Sequence, residues 1–261
     1  MTPILVVGAG RMGGALIAGW MRAKAFAPAD ILVHDPAPGP NAVAAGVALH
    51  PTSADLAGVR TVVLAVKPQI WREAAAEIAP RLASDAVVVS IAAGVASADV
   101  AATFGGRRTA RVMPTTAAAI GQGTASIYAA DAEARASAHA LFEPLGTVVD
   151  LADEDLMHAA TAVSGSAPAY LYAFVEALEA AGAALGLAPD AARNLARATV
   201  AGAAALMADS GSDLAELRRQ VTSPGGTTEA ALKVLTGPGG LDPLLKAAAK
   251  AAEKRSRELG A

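Results

Sequence analysis

The chain contains no cysteine among its 261 residues. That excludes disulfides, thiolate metal sites and cysteine nucleophiles, and it fits a reducing compartment. Aromatic residues make up only 3%, so the core must be assembled from small aliphatic side chains. Such a core gains less burial per residue than an aromatic one, and a large interface between subunits would add to it. The basic surplus of a general nucleic-acid binder is missing: charged residues are 17% and the net charge is −3. Long apolar runs are missing too. The longest nearly apolar stretch, Ala198–Ala208, lies between Arg197 and Asp209, well short of the roughly 20 residues that span a bilayer. Met1–Val7 has no basic segment and runs straight into a glycine motif, which predicts no signal peptide. The histidines, His34, His50, His139 and His158, show no metal-ligand spacing, and neither H-E-x-x-H nor G-x-S-x-G occurs. What is present is a chain with 54% hydrophobic residues, which reads as a folded, soluble, cytoplasmic protein that binds no metal.

The first part alternates short β-branched runs with helical patterns. Ile4–Val7, Ile31–His34, Thr61–Val66, Ala86–Ile91 and Thr109–Val112 read as strands. They are continuously apolar, as strands buried on both faces are. Met12–Lys24, Gln69–Leu82 and Ser97–Phe104 read as the helices between them. This βα alternation predicts a doubly wound, Rossmann-type parallel sheet. Thr124–Tyr128 and Thr147–Asp150 add two strands around a helix near Ala132–Phe142, and Pro36–Pro40 reads as a surface loop. After about Asp153 the strand signals stop. Asp153–Thr161, Pro168–Leu185, Pro189–Asp209, Asp213–Thr222, Thr227–Leu235 and Pro243–Leu259 read as helices. The expected organisation is a dinucleotide-binding α/β domain over 1–152 and an all-α domain over 153–261.

Gly8-Ala9-Gly10-Arg11-Met12-Gly13 fits G-x-G-x-x-G, directly after a strand and opening a helix. Gly8 allows the tight turn, Gly10 has no Cβ to block a pyrophosphate, and Gly13 lets the helix pack on the strand. The helix N-terminus then offers free N–H groups to the phosphates. Asp35 ends the second strand, where an acid accepts hydrogen bonds from the adenosine ribose. It also reads as a turn-initiating Asp before Pro36. Ala65-Val66-Lys67-Pro68 and Ala92-Ala93-Gly94 sit at strand C-termini, the side on which open α/β sheets bind ligands. The bland readings are a solvated lysine and a strand-to-helix turn. Ser223-Pro224-Gly225-Gly226-Thr227-Thr228 opens a helix, and its N–H groups suit a carboxylate, though the same turn serves as an N-cap. Asp153-Glu154-Asp155 reads as acids matched to a helix dipole.

These stretches, in this order, resemble pyrroline-5-carboxylate reductase over nearly the whole chain. They are Gly8–Gly13, Ala65–Gln69, Arg111-Val112-Met113-Pro114, Ala162–Ser166 with Pro168–Tyr170, and Gln220–Thr228 with Leu232. The resemblance implies reduction of L-1-pyrroline-5-carboxylate to L-proline with NAD(P)H. It implies Thr228 as hydrogen-bond donor to the imine nitrogen. Ser223 and the N–H groups of Gly225, Gly226 and Thr227 hold the substrate carboxylate. Gly8, Gly10, Arg11, Met12, Gly13, Asp35, Ala65, Val66, Lys67, Pro68, Ala92, Ala93 and Gly94 hold the cofactor. It also implies a homodimer through the helical half, with higher rings of dimers. The chain departs from the family at Thr115, Ala117, Ala167 and His158. Asp35, with no Arg, Lys, Ser or Thr across His34–Pro40, points to NADH over NADPH; His34 and Arg11 are the two groups that could offset it. Two other readings stand beside this one. One is a reductase of the same architecture acting on a hydroxy acid or a different cyclic imine; the absence of lysine in Pro168–Leu185 counts against the hydroxy-acid version. A non-catalytic dinucleotide sensor leaves the 222–228 turn unexplained.

Overall fold

The structure, a computed structural model, describes residues 1–259. Eight strands form one sheet: β1 Ile4–Val7, β2 Ile31–His34, β3 Ala48–Leu49, β4 Thr61–Leu64, β5 Val87–Ser90, β6 Thr109–Pro114, β7 Gly123–Tyr128 and β8 Gly146–Asp150. Their order is β3-β2-β1-β4-β5-β6-β7-β8. All pairs are parallel except β6–β7, which is antiparallel. β1 pairs with β2 on one side and β4 on the other, with Ile4 opposite both Ile31 and Thr61. The strand order therefore reverses at β1, the place where doubly wound sheets open a ligand crevice. Strands β1, β4 and β5 are buried along their whole length.

Helices α1 Arg11–Ala23, α2 Pro40–Ala44, α3 Ser53–Ala57, α4 Trp71–Ile78, α5 Ser97–Thr103 and α6 Ala132–Phe142 complete the α/β part. Two apolar layers flank the sheet, one including Leu16, Trp20 and Phe142, the other Leu56, Trp71 and Phe104. The few aromatics anchor these layers. Trp20 also donates its indole N–H to the Leu141 carbonyl at 2.7 Å, which satisfies its one polar atom.

The remaining helices are α7 Leu156–Ala160, α8 Ala167–Ala184, α9 Pro189–Ser210, α10 Leu214–Gln220, α11 Thr227–Leu235 and α12 Leu241–Glu258. A π-helical turn, Thr161–Gly165, precedes α8. The chain forms two compact units: Met1–Gly165 together with the end of the chain from Ala252, and Ser166–Ala251. Within the second unit α8 and α9 pack closely, since a Cβ on Gly182 would lie 3.1 Å from Ala192 Cβ. Only Ala192 and Ala196 are buried hydrophobics there, while Leu171, Tyr172, Phe174, Leu195 and Leu206 are exposed. No helix among the described residues is long and apolar enough to cross a membrane.

One local reading changes and two gain further contacts. Pro36–Gly39 is the expected surface loop, with Pro40 opening α2, and it is pinned: Gly39 donates its N–H to Ala9 O at 3.1 Å and lies too close to Ala9 O for a Cβ. The β4 strand stops at Leu64, so Ala65 and Val66 belong to the following loop. The acids at 153–155 lie at helix N-termini, Asp155 as the N-cap of α7 and Glu154 on the first N–H of α5, and they form tertiary contacts besides. Glu154 accepts from Ser97 N–H at 2.7 Å, Ser97 Oγ at 2.6 Å and buried Arg111 at 3.2 Å. Asp155 pairs with Arg257 at 2.8 Å.

Candidate functional site

The glycine loop links β1 to α1. Gly8 has φ +91°, and a Cβ there would come within 2.8 Å of Val66 Cγ1 and 2.9 Å of Ala65 O. A Cβ on Gly13 would lie 2.0 Å from Gly8 O. These two glycines let the loop lie against the 65–66 segment and the helix pack on the loop. At Gly10 the surroundings differ: a Cβ would meet nothing within 4 Å. Open space thus lies where the first amides of α1 begin, and no acidic residue occupies that first turn. The residues present fit a dinucleotide pyrophosphate, which needs N–H donors, a positive dipole end and no side chain in the way. Arg11 is exposed at the start of the helix.

Asp35 follows β2 directly. Its Oδ2 accepts the Ala9 N–H at 2.6 Å and its Oδ1 accepts the Ala37 N–H at 2.8 Å. The turn reading and a loop-pinning contact are both present. Each carboxylate oxygen keeps a further acceptor site for a ribose hydroxyl. A cavity of about 300 Å³ opens beside Asp35, lined also by Gly8, His34, Val66, Ile70 and Glu77. Ala65 follows β4, and its N–H bonds Val7 O at 2.8 Å. Lys67 is exposed, and its carbonyl accepts the Ile70 N–H. Ala92 and Gly94 are buried and Ala93 is half-buried just after β5. The first unit therefore gathers Gly8–Gly13, Asp35, 65–68 and 92–94 at the C-terminal ends of β1, β2, β4 and β5.

The second unit carries the Ser223–Thr228 turn. Gly225 has φ +72°, and Gly226 is the N-cap of α11 with no side-chain cap. The Gly226 N–H bonds Ser223 O at 3.0 Å. The Gly225 N–H donates to Glu229 Oε2 at 2.5 Å, and that bond holds the Glu229 carboxyl below its ordinary pKa. The side chain of Glu229 thus places a carboxylate on this turn. Thr228 is half-buried in the first turn of α11.

The departures from the family pattern have local partners. Thr115 is buried, and its Oγ1 accepts the Thr124 N–H at 3.0 Å, tying β6 to β7. His158 Nδ1 lies 2.9 Å from Ser256 Oγ. Burial, then nearby Arg111 and Arg257, push its pKa down. Ala117 lies in a 3₁₀ turn and Ala167 opens α8. Sequence reasoning missed Glu77 and Glu229, and saw Glu154 only as a helix-dipole acid without its Ser97 and Arg111 partners. Glu77 alone had a usable signal, its four-residue spacing from Glu73 on one helix.

A glycine loop at a sheet switch point, an acid after β2 and a helical second unit define a dinucleotide-binding protein of the Rossmann class. The family model described as pyrroline-5-carboxylate reductase dimerisation matches residues 154–259. That described as NADP oxidoreductase, coenzyme F420-dependent, matches residues 3–94. Pyrroline-5-carboxylate reductase of Pseudomonas aeruginosa is 39% identical, over 98% of this chain and 96% of its own. That of Pisum sativum is 36% identical, over 97% and 94%. The solved reductase of Coxiella burnetii superposes with a TM-score of 0.90 at 31% identity, covering 100% of this chain and 99% of its own. The Plasmodium falciparum reductase, solved with NADP bound, gives 0.86 at 25% identity, covering 100% and 98%. The chain belongs to the pyrroline-5-carboxylate reductase family.

Proposed function

We infer that this chain reduces L-1-pyrroline-5-carboxylate to L-proline with NAD(P)H, and that it favours NADH. The observation that carries the reaction is full-length identity with named reductases, at 39% and 36%. Their shared name supports the substrate, and the turn on α11 supplies chemistry suited to it.

When bound, the reduced nicotinamide supplies a hydride. The loop Gly8–Gly13 would hold the pyrophosphate on the amides that open α1, with Arg11 and Met12 flanking it. Asp35 would accept from the adenosine ribose. Ala65–Pro68 and Ala92–Gly94 would line the cofactor's path along the strand ends. On the second unit, Ser223 and the amides of Gly225, Gly226 and Thr227 would hold the substrate carboxylate. Glu229 holds the Gly225 amide and Ser223 O the Gly226 amide, so both contacts must give way when the substrate carboxylate binds. The Thr228 hydroxyl donates a hydrogen bond to the imine nitrogen. An imine carbon accepts hydride far better when its nitrogen is protonated or strongly hydrogen-bonded, so a positioned donor is the group this chemistry requires.

NADH is favoured because a carboxylate at 35 opposes a 2′-phosphate, and the cavity beside it is lined by no Lys or Arg. The functional division falls near 152/153, supported by the end of β8 at Asp150 and a family match starting at 154. The second domain forms the homodimer, and rings of dimers are the larger assembly. The absence of cysteine supports a cytoplasmic location.

Turnover of L-1-pyrroline-5-carboxylate by the wild type and by Thr228→Ala tests this reading. The expected loss in kcat is about 10- to 1000-fold, the scale of one positioned donor, with the Kd for NADH unchanged. A variant with full kcat at saturating substrate contradicts the role given to Thr228.

A further inference from the structure

We propose that Glu77 is a second determinant of cofactor choice, acting with Asp35 against the 2′-phosphate of NADPH. The proposal rests on the reading of the Asp35 cavity as the adenosine site.

Helix α4 buries Trp71, Ala75 and Ile78 against the sheet. That fixes its rotation and turns Glu73, Ala74 and Glu77 toward the cavity beside Asp35, which all three line. Ala74, with Val66, Ile70 and Pro36, gives apolar walls suited to a purine face. The polar wall is unusual in its charge. Three carboxylates, Asp35, Glu73 and Glu77, line the cavity, and His34 is its one lining side chain able to become a cation. His34 Nε2 lies 3.2 Å from Glu77 Oε1. Any positive charge on His34 is therefore matched by a carboxylate already in contact with it. The cavity presents no uncompensated cation to a phosphate.

NADH and NADPH differ only at the ribose 2′ position. A charge in this cavity acts on a 2′-phosphate dianion and leaves a neutral 2′-hydroxyl almost untouched. Glu77 is thus placed to weaken NADPH without weakening NADH. It does so by its own charge and by engaging His34.

Glu77→Gln removes the charge and keeps a carbonyl that can accept from His34. Glu77 is more than half exposed, so the substitution leaves the core intact. Isothermal calorimetry of the full chain with NADH and with NADPH, without substrate, reads the effect. The Kd for NADPH should fall about three- to ten-fold, the scale of one screened charge at this range. The Kd for NADH should stay within about two-fold. An unchanged ratio of the two constants, or an equal shift in both, overturns the proposal. A wild type that binds NADPH more tightly contradicts the reading of Asp35. If Glu77→Gln still moves the ratio in that case, the role of Glu77 stands.

Discussion

The Asp35 carboxylate holds the Ala9 amide at 2.6 Å, so the residue after β2 fixes the loop after β1. The Ala9 carbonyl is held in turn by Gly39 N–H. The peptide groups on both sides of buried Ala9 are therefore tied before any ligand arrives, and the loop is preorganised. Asp35→Ser shortens this reach. It should lower stability by about 1.5–3 kcal/mol, the scale of a lost charge-assisted hydrogen bond, and narrow or invert the proposed preference for NADH. Thermal melts and kcat/KM with both cofactors check the two effects. An unchanged preference would assign Asp35 to loop geometry alone.

Two glycines of one motif should fail in different ways. Gly10→Ala places its methyl in open space. The fold should keep its Tm while dinucleotide binding falls. Gly13→Ala drives a methyl into the Gly8 carbonyl and should destabilise by about 1–3 kcal/mol, as overpacking does. Melts and NADH titrations of both variants separate folding from binding. Equal melting losses in the two would contradict this division of labour.

His139 bridges two elements, with Nδ1 2.8 Å from Glu143 and Nε2 2.9 Å from Asp150. Both ring nitrogens can donate only in the protonated ring. The Glu143 hydrogen bond chiefly, then Asp150, raises its pKa against the opposing effect of burial. Its stabilisation is therefore complete below the unfolded pKa of about 6.5 and is lost as pH rises through the folded value. Comparing melts of wild type and His139→Asn at about pH 5.5 and about pH 9 should show a gap only at the lower pH. The site is partly exposed, so the gap should be on the order of 1 kcal/mol or less. A gap of equal size at both values would show that the bridge needs no charge.

The second unit exposes Leu171, Tyr172, Phe174, Leu195 and Leu206 and buries almost nothing of its own. A patch of this kind marks an association surface. Light scattering at a few micromolar should give at least twice the 25.8 kDa chain mass. A fully active monomer would refute the dimer.

Much of this was legible in the residues. Strands β1, β2, β4 and β5 announced themselves because burial on both faces leaves few polar positions to blur them; the largely exposed β8 was readable too, as were β6 and β7, and only Ala48–Leu49 was not. That strand has two residues and no run to read. Gly8–Gly13 was readable because its backbone demands are local. Asp35 was readable as an acid after β2, but its grip on Ala9 was not, since 26 positions separate the two. Glu154 failed for the same reason: its partners Ser97 and Arg111 lie 57 and 43 positions away. Glu229 was hidden differently, because a carboxylate turning back four residues onto Gly225 looks in sequence like any first-turn acid.

The most direct test of the account is a pair of steady-state titrations of the wild-type chain with L-1-pyrroline-5-carboxylate, one with NADH and one with NADPH, with proline measured as product. The account predicts proline formation with a higher kcat/KM for NADH, because in the proposed site Asp35 and Glu77 would put negative charge where NADPH carries its 2′-phosphate. A clear preference for NADPH, or cofactor oxidation without proline, would contradict it.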